Sequence, residues 1–217
     1  MEYGVAFLFI GLFALYYRFM MKPEAAPAMA LHKAVGQAMD RIRGLLAPEG
    51  LAYHRGHAWV KVEGPQMALA GIDDFASKLV GKIQSVKLPE VGAVLKQGEK
   101  AWSLQIDGKT VDMLSPLDGK VVAVNPAAAA ALADDPYGKG WLVKLESPKL
   151  TASLKNLLTG SLAKVFTEQS LDALFSRAGG NLGAMAADGG TPVQGMAKNI
   201  DPQHWERIAK DFFLTND

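Results

Sequence analysis

The side chains with most capacity for chemistry in this 217-residue chain gather at Asp107-Gly108-Lys109-Thr110, where a primary amine stands beside a predicted tight turn. Asp-Gly suits a two-residue type I′ hairpin loop, because both positions need positive φ, and this places Lys109 on the returning strand. The same residues imitate the end of a phosphate-binding loop, but that motif needs another glycine five positions before Gly108, where Ser103 stands. His54 and His57 have a separation that suits a metal on a helix, yet they lie at a predicted strand entrance with no third ligand. Asp73-Asp74 and Asp134-Asp135 read as cap and turn residues rather than a catalytic carboxylate pair. Ser103, Ser115 and the four histidines offer no nucleophile–base arrangement. With no cysteine, the chain lacks disulfides, thiolate metal sites and thiol nucleophiles. The chemistry on view is that of a non-catalytic protein with no metal.

Elements that position the Lys109 turn are legible on both sides of it. Between Leu51 and Glu146, short apolar or alternating stretches are broken by Gly, Pro and Asp. They run His57 to Val62, Met67 to Ala70, Ile83 to Leu88, Ala101 to Ile106, Val111 to Leu114, Lys120 to Asn125 and Trp141 to Leu145. Many short strands at close spacing predict an all-β sandwich or barrel. Asp73 to Leu79 is a helical exception, with Phe75, Leu79 and Val80 sharing a face, and the Ala-rich run Pro126 to Asp134 predicts a helical turn or two before Asp135-Pro136 ends it. Helical periodicity returns with Leu154, Leu157, Leu158, Leu162, Val165, Phe166, Leu171, Leu174 and Phe175. Gly179 to Gly195 then reads as a loop. A last helix has Asp201 as N-cap, Pro202 at its first position and a stripe of Trp205, Ile208, Phe212 and Phe213 expected to pack on the preceding helices.

At the front, Tyr3 to Tyr17 is uncharged and mostly apolar, and Arg18 is followed by Phe19, Met20 and Met21 before Lys22 and Pro23. A helix from Tyr3 to Met21 is about 28 Å long at ~1.5 Å per residue, close to a ~30 Å hydrocarbon layer. A cleaved secretory signal is the competing reading, with Ala28-Met29-Ala30 as a cleavage pattern. The charges favour an anchor, since Glu2 precedes the apolar run while Arg18, Lys22, Lys33, Arg41 and Arg43 follow it. By the positive-inside rule the amino terminus then faces outward and the rest lies in the cytoplasm. After a linker at Pro23 to Pro27, Leu31, Val35, Met39, Ile42 and Leu46 recur near helical spacing, predicting an amphipathic helix that ends near Gly50 and either packs on the next domain or docks a partner or the membrane surface. Four segments result: an anchor (1–22), a linker and amphipathic helix (23–50), a β domain (51–149) and a helical extension (150–217). The balance of 23 basic against 22 acidic residues argues against a nucleic-acid partner.

Several blocks of the β region resemble the glycine cleavage system H protein family, in order and spacing. They are Tyr53-His54-Arg55-Gly56-His57-Ala58-Trp59-Val60, Gly71-Ile72-Asp73-Asp74-Phe75-Ala76, Leu88-Pro89-Glu90-Val91-Gly92, Gly98-Glu99, and Asn125 followed by Asp135-Pro136-Tyr137-Gly138-Lys139-Gly140-Trp141-Leu142. The resemblance implies a mainly β, lipoyl-domain-like fold (a barrel-sandwich hybrid) with flanking α segments. It also implies two small antiparallel sheets and a lipoylated lysine at a hairpin tip, where it serves successive partners in glycine decarboxylation. Counting forward from Gly98-Glu99 or backward from Asp112 and Pro116, the family's lysine falls on Gly108. Lys109 is one residue late, and Gln105 replaces the family's acidic residue three positions before the lysine. Because side-chain direction alternates along a strand, one residue turns the amine to the other face.

Three expectations follow. The first is a membrane-anchored module without efficient lipoylation and without cofactor, binding or assembling a cytoplasmic or membrane protein. The second is a lipoyl carrier acting through Lys109. The third is a small subunit of a membrane complex recruited by its terminal helices, with the β domain as a spacer.

Overall fold

In the computed structural model the described residues are 41–179, 186–187 and 191–216. The expected anchor at residues 3–21, the linker and the first part of the amphipathic stretch lie outside them. Among the described residues no helix is long and apolar enough to cross a membrane.

Two antiparallel sheets form the β domain. One has the order β3 (Ala52–Tyr53), β4 (Ala58–Val62), β5 (Met67–Ile72), β11 (Val143–Glu146), β10 (Gly119–Val124) and β7 (Val94–Leu95). The other is β6 (Ser85–Lys87), β8 (Lys100–Ile106) and β9 (Lys109–Leu114). Strand β4 is apolar without a break from Ala58 to Val60, and all three residues are buried. Ala58 and Val60 enter the main core, while Trp59, on the opposite side of the pleat, joins a second cluster with Leu51, Tyr53 and Ala163. The expected strands are present to within a few residues. The two-residue strands β3 and β7 were not expected, being too short to show a period.

Helix α1 (Asp74–Val80) follows β5 directly, capped by the Asp73 carboxylate, which accepts the Ala76 N–H at 2.7 Å. Its face of Phe75, Ala76, Leu79 and Val80 is buried in the main core. Helix α2 (Ala128–Ala131) is the predicted Ala-rich turn. Beyond the β domain come α3 (Leu150–Leu154) and α4 (Gly160–Arg177). They are separated where Leu158 exchanges both backbone hydrogen bonds with Tyr53, at 2.8 Å each.

The amphipathic helix expected to reach Gly50 is overturned over its last part. Arg41–Ile42 (β1) and Leu45–Leu46 (β2) form a hairpin, with positive φ at both Arg43 and Gly44. The apolar spacing was compatible with a helix, but Arg43-Gly44 turns the chain so that Ile42 and Leu45 are both buried. Arg43 pairs with Asp172 of α4 at 2.5 Å, and the Leu46 N–H is accepted by Asp74 at 2.8 Å.

The carboxy-terminal part also departs from expectation. Within the expected loop Gly179 to Gly195, β12 (Ala186–Ala187) pairs with β13 (Thr191–Pro192), and a further short helix, α5 (Met196–Ile200), follows. Asp201 accepts the N–H groups of Gln203 and His204, but the helix proper, α6 (Trp205–Phe213), begins after a turn at 202–204. Its stripe packs on β9, α1 and α5 rather than on the preceding helices alone. Met196, Trp205, Ile208 and Phe213 are all buried there, each contributing about 1.5–3 kcal/mol before the cost of ordering the chain.

The packing of Trp59 sets a test of the fold. A Cβ at Gly71 would lie 2.7–2.9 Å from three atoms of the Trp59 indole, which is fully buried and donates Nε1–H to the Pro136 carbonyl at 3.1 Å. Gly71→Ala is expected to cost about 1–3 kcal/mol in urea unfolding, because this ring has nowhere to move. A neutral result would mean that the indole is not held this way.

Candidate functional site at the hairpin tip

The tip of β8–β9 is the predicted two-residue loop. Asp107 (φ 49°) and Gly108 (φ 75°) are both left-handed, as a type I′ turn requires. Ile106 and Lys109 close the ladder. Gly108 is the apex, with nothing within 4 Å of where its Cβ would be. Along β9, Lys109 shares a face with the buried Val111 and Met113, whereas Thr110 points outward and is exposed. The shift of one residue thus carries the amine from the apex to the side of the hairpin that meets the carboxy-terminal helices.

There Lys109 is held. Its ammonium group donates to the Glu206 carboxylate at 2.5 Å and to the Gln203 carbonyl, and lies 5.9 Å from the centre of the Trp205 ring. Lys198 of α5 stands over the same ring at 5.1 Å and pairs with Asp107 in the turn. Two cations and two carboxylates therefore surround one buried indole, and each cation bridges the hairpin to the carboxy-terminal segment. Lys109 is thus no free surface lysine: its side chain is 36% exposed and its charge is paired.

Burial raises the Glu206 carboxyl, but the hydrogen bond and charge of Lys109, a backbone N–H and His204 outweigh this and hold it below its ordinary value of 4.5. A carboxyl lowered on folding contributes stability that is complete above its unfolded value and lost as pH falls through the folded one. Acidification below 4.5 is therefore expected to loosen α6, with no change from this group between about pH 6 and 8. The Trp205 indole NMR signal reports it. A signal unmoved across the acid range would contradict the contact.

The remaining motif residues are structural. The Asp135 carboxylate accepts the N–H groups of Gly138 (2.8 Å) and Lys139 (2.9 Å), and Pro136 accepts the Trp59 indole. The Tyr137 hydroxyl donates to the Leu46 carbonyl at 2.6 Å and accepts the Asp74 N–H at 3.0 Å. The Asn125 amide donates to the carbonyls of Lys139 and Trp141. Together they fold the 135–141 loop over the second cluster, where Tyr137 and Trp141 are partly buried. On the tip hairpin, Asp112 pairs with Lys100 at 2.6 Å and accepts from Ser103 at 2.7 Å.

Sequence reasoning missed one constellation. His57 Nδ1 lies 2.8 Å from Asp73 Oδ2, and its Nε2 lies 3.4 Å from Ser170 Oγ on α4, 113 residues away in sequence. The connectivity is that of a serine–histidine–aspartate triad, but the access is not. The imidazole is stacked between Phe75 (4.3 Å) and Phe166 (4.8 Å), and Ser170 is 5% exposed and donates to the Phe166 carbonyl at 2.9 Å. No substrate reaches that hydroxyl, so the group is a buried polar fastener between β4, α1 and α4. Nor, among the described residues, does any cluster of His, Asp or Glu have the arrangement of a metal site.

Two antiparallel sheets, a helix after β5 and a stiff hairpin tip define a β module of the lipoyl-domain type. The family model described as "Glycine cleavage H-protein" matches residues 51–170, more than half of the chain. The chain belongs to the glycine cleavage H-protein family. It is 38% identical over 125 residues to the glycine cleavage system H protein of Symbiobacterium thermophilum, covering 56% of this chain and 96% of that one. The Coprothermobacter proteolyticus protein of the same name is 43% identical over 101 residues, covering 45% and 80%. A crystal structure of a glycine cleavage system H protein from Mycobacterium marinum aligns at 29% identity over 56% of this chain and 97% of that one, with a TM-score of 0.49. The carboxy-terminal helices α5 and α6 lie beyond the family match.

Proposed function

We propose that this chain is a membrane-anchored, H-protein-like module that works as a binding or assembly subunit and is not efficiently lipoylated. One observation carries the reading: Gly108 occupies the hairpin apex, while Lys109, one residue on, is turned inward and paired with Glu206. A carrier lysine works by projecting, so that its tethered group reaches successive active sites at high effective concentration. The Lys109 amine here is committed to a carboxylate and a carbonyl, and does not fit that task.

Membrane attachment rests on the apolar run 3–21 and on the basic residues after it, which put the soluble part in the cytoplasm and make its partner a cytoplasmic or membrane protein. Intact-mass measurement of protein from its own cells tests the reading. Unmodified chain is expected, and a stoichiometric lipoyl adduct on Lys109 would overturn it.

Family membership favours a second reading, a lipoyl carrier in glycine cleavage through Lys109. Under it, Lys109→Arg abolishes glycine-cleavage activity while the fold persists; unchanged activity eliminates this reading.

A further inference from the structure

We infer that the carboxy-terminal segment Met196–Phe213 is an autoinhibitory cover, which withholds the Lys109 amine and one face of the hairpin tip from modifying enzymes and partner proteins. This deepens the proposed function by adding a second barrier to a lysine already out of place. Three features support it.

Contacts converge from both sides of the turn, since Asp107 before it pairs with Lys198 of α5 and Lys109 after it pairs with Glu206 of α6. Trp205 lies beneath both ammonium groups and is 2% exposed. The cover is also anchored away from the tip: Phe213 is fully buried, the Phe212 ring packs 5.1 Å from Phe75, and Arg177 of α4 pairs with Asp211 at 2.5 Å. One side of the tip is thus covered by a segment that is itself part of the core.

The geometry makes the closure one-sided. Lys109 lies beneath α6, whereas the Gly108 direction is open, so a side chain placed at 108 would project clear of the cover that holds Lys109.

Brief labelling of the full chain with an amine-acetylating reagent, read by peptide mass spectrometry, tests the cover. Lys109 is expected to react about tenfold more slowly than the new lysine of Gly108→Lys, since holding the amine by about 1.4 kcal/mol is a tenfold effect. Glu206→Gln should raise the Lys109 rate several-fold, and Trp205→Phe, which keeps the apolar contact, should raise it less. Equal rates at Lys109 and at the Gly108→Lys amine would overturn the cover. So would a slow Lys109 rate unchanged in Glu206→Gln. Labelling is independent of the lipoyl group, so a cover can fail here while the intact mass still shows no adduct, and the two readings fall separately.

Discussion

Asp73→Ala is expected to lower stability by about 3–4 kcal/mol. One oxygen of this carboxylate caps α1 by accepting the Ala76 N–H, and the other meets His57 Nδ1 at 2.8 Å in a site where both side chains are nearly fully buried. Loss of the cap costs about 1 kcal/mol. Leaving the imidazole without its partner between two phenylalanine rings costs about 2–3 kcal/mol more, the penalty of a buried polar group stripped of its hydrogen bond. The effect should extend beyond α1, since His57 has positive φ and its conformation is fixed by its own N–H bonded to His54 and its carbonyl bonded to Asp73. Asp73→Asn retains an oxygen for the cap and should lose less. Urea unfolding of the two variants measures both terms. A loss below about 1 kcal/mol in Asp73→Ala would show that the buried pair is not holding β4 to α1.

Phe213→Ala should be at least as severe, at about 3–5 kcal/mol. The ring is fully buried at the end of α6, near His57, and the Phe213 carbonyl lies where a Cβ on Gly56 would be only 2.9 Å away. Truncation leaves a cavity that the β-sheet side cannot close. The consequence for the tip is larger than the distance suggests, because the same helix carries Trp205 and Glu206 over Lys109. Hydrogen exchange should therefore rise across Trp205–Phe213 and at the 107–109 turn together. Faster exchange confined to the end of α6 would show that the tip is closed independently of that anchor.

Much of the β domain is legible in the amino-acid sequence. Asp107-Gly108 prescribes its own turn type, and the alternation after it requires Lys109 to leave the apex; both are local consequences of φ preference and strand period. The anchoring of α1 by Asp73 and the breaking role of Asp135-Pro136 are equally local. Where reading failed, the deciding force was not local. Ile42 and Leu46 fit a helical stripe, yet Arg43-Gly44 turns the chain into a hairpin whose Leu45 is driven into a core built from residues far along the chain.

The succession of short strands along the chain, the turn at Asp107-Gly108 and the bare apex at Gly108 were set by sequence alone, because they depend on residue types and on spacings of a few positions. What surrounds Lys109 was decided by tertiary structure. Glu206 lies 97 residues away from it, and Ser170 lies 113 from His57. No periodicity joins such positions; they meet because the aromatic stripe of α6 and the apolar face of α4 had to be buried, and the β domain offered the surface that buries them.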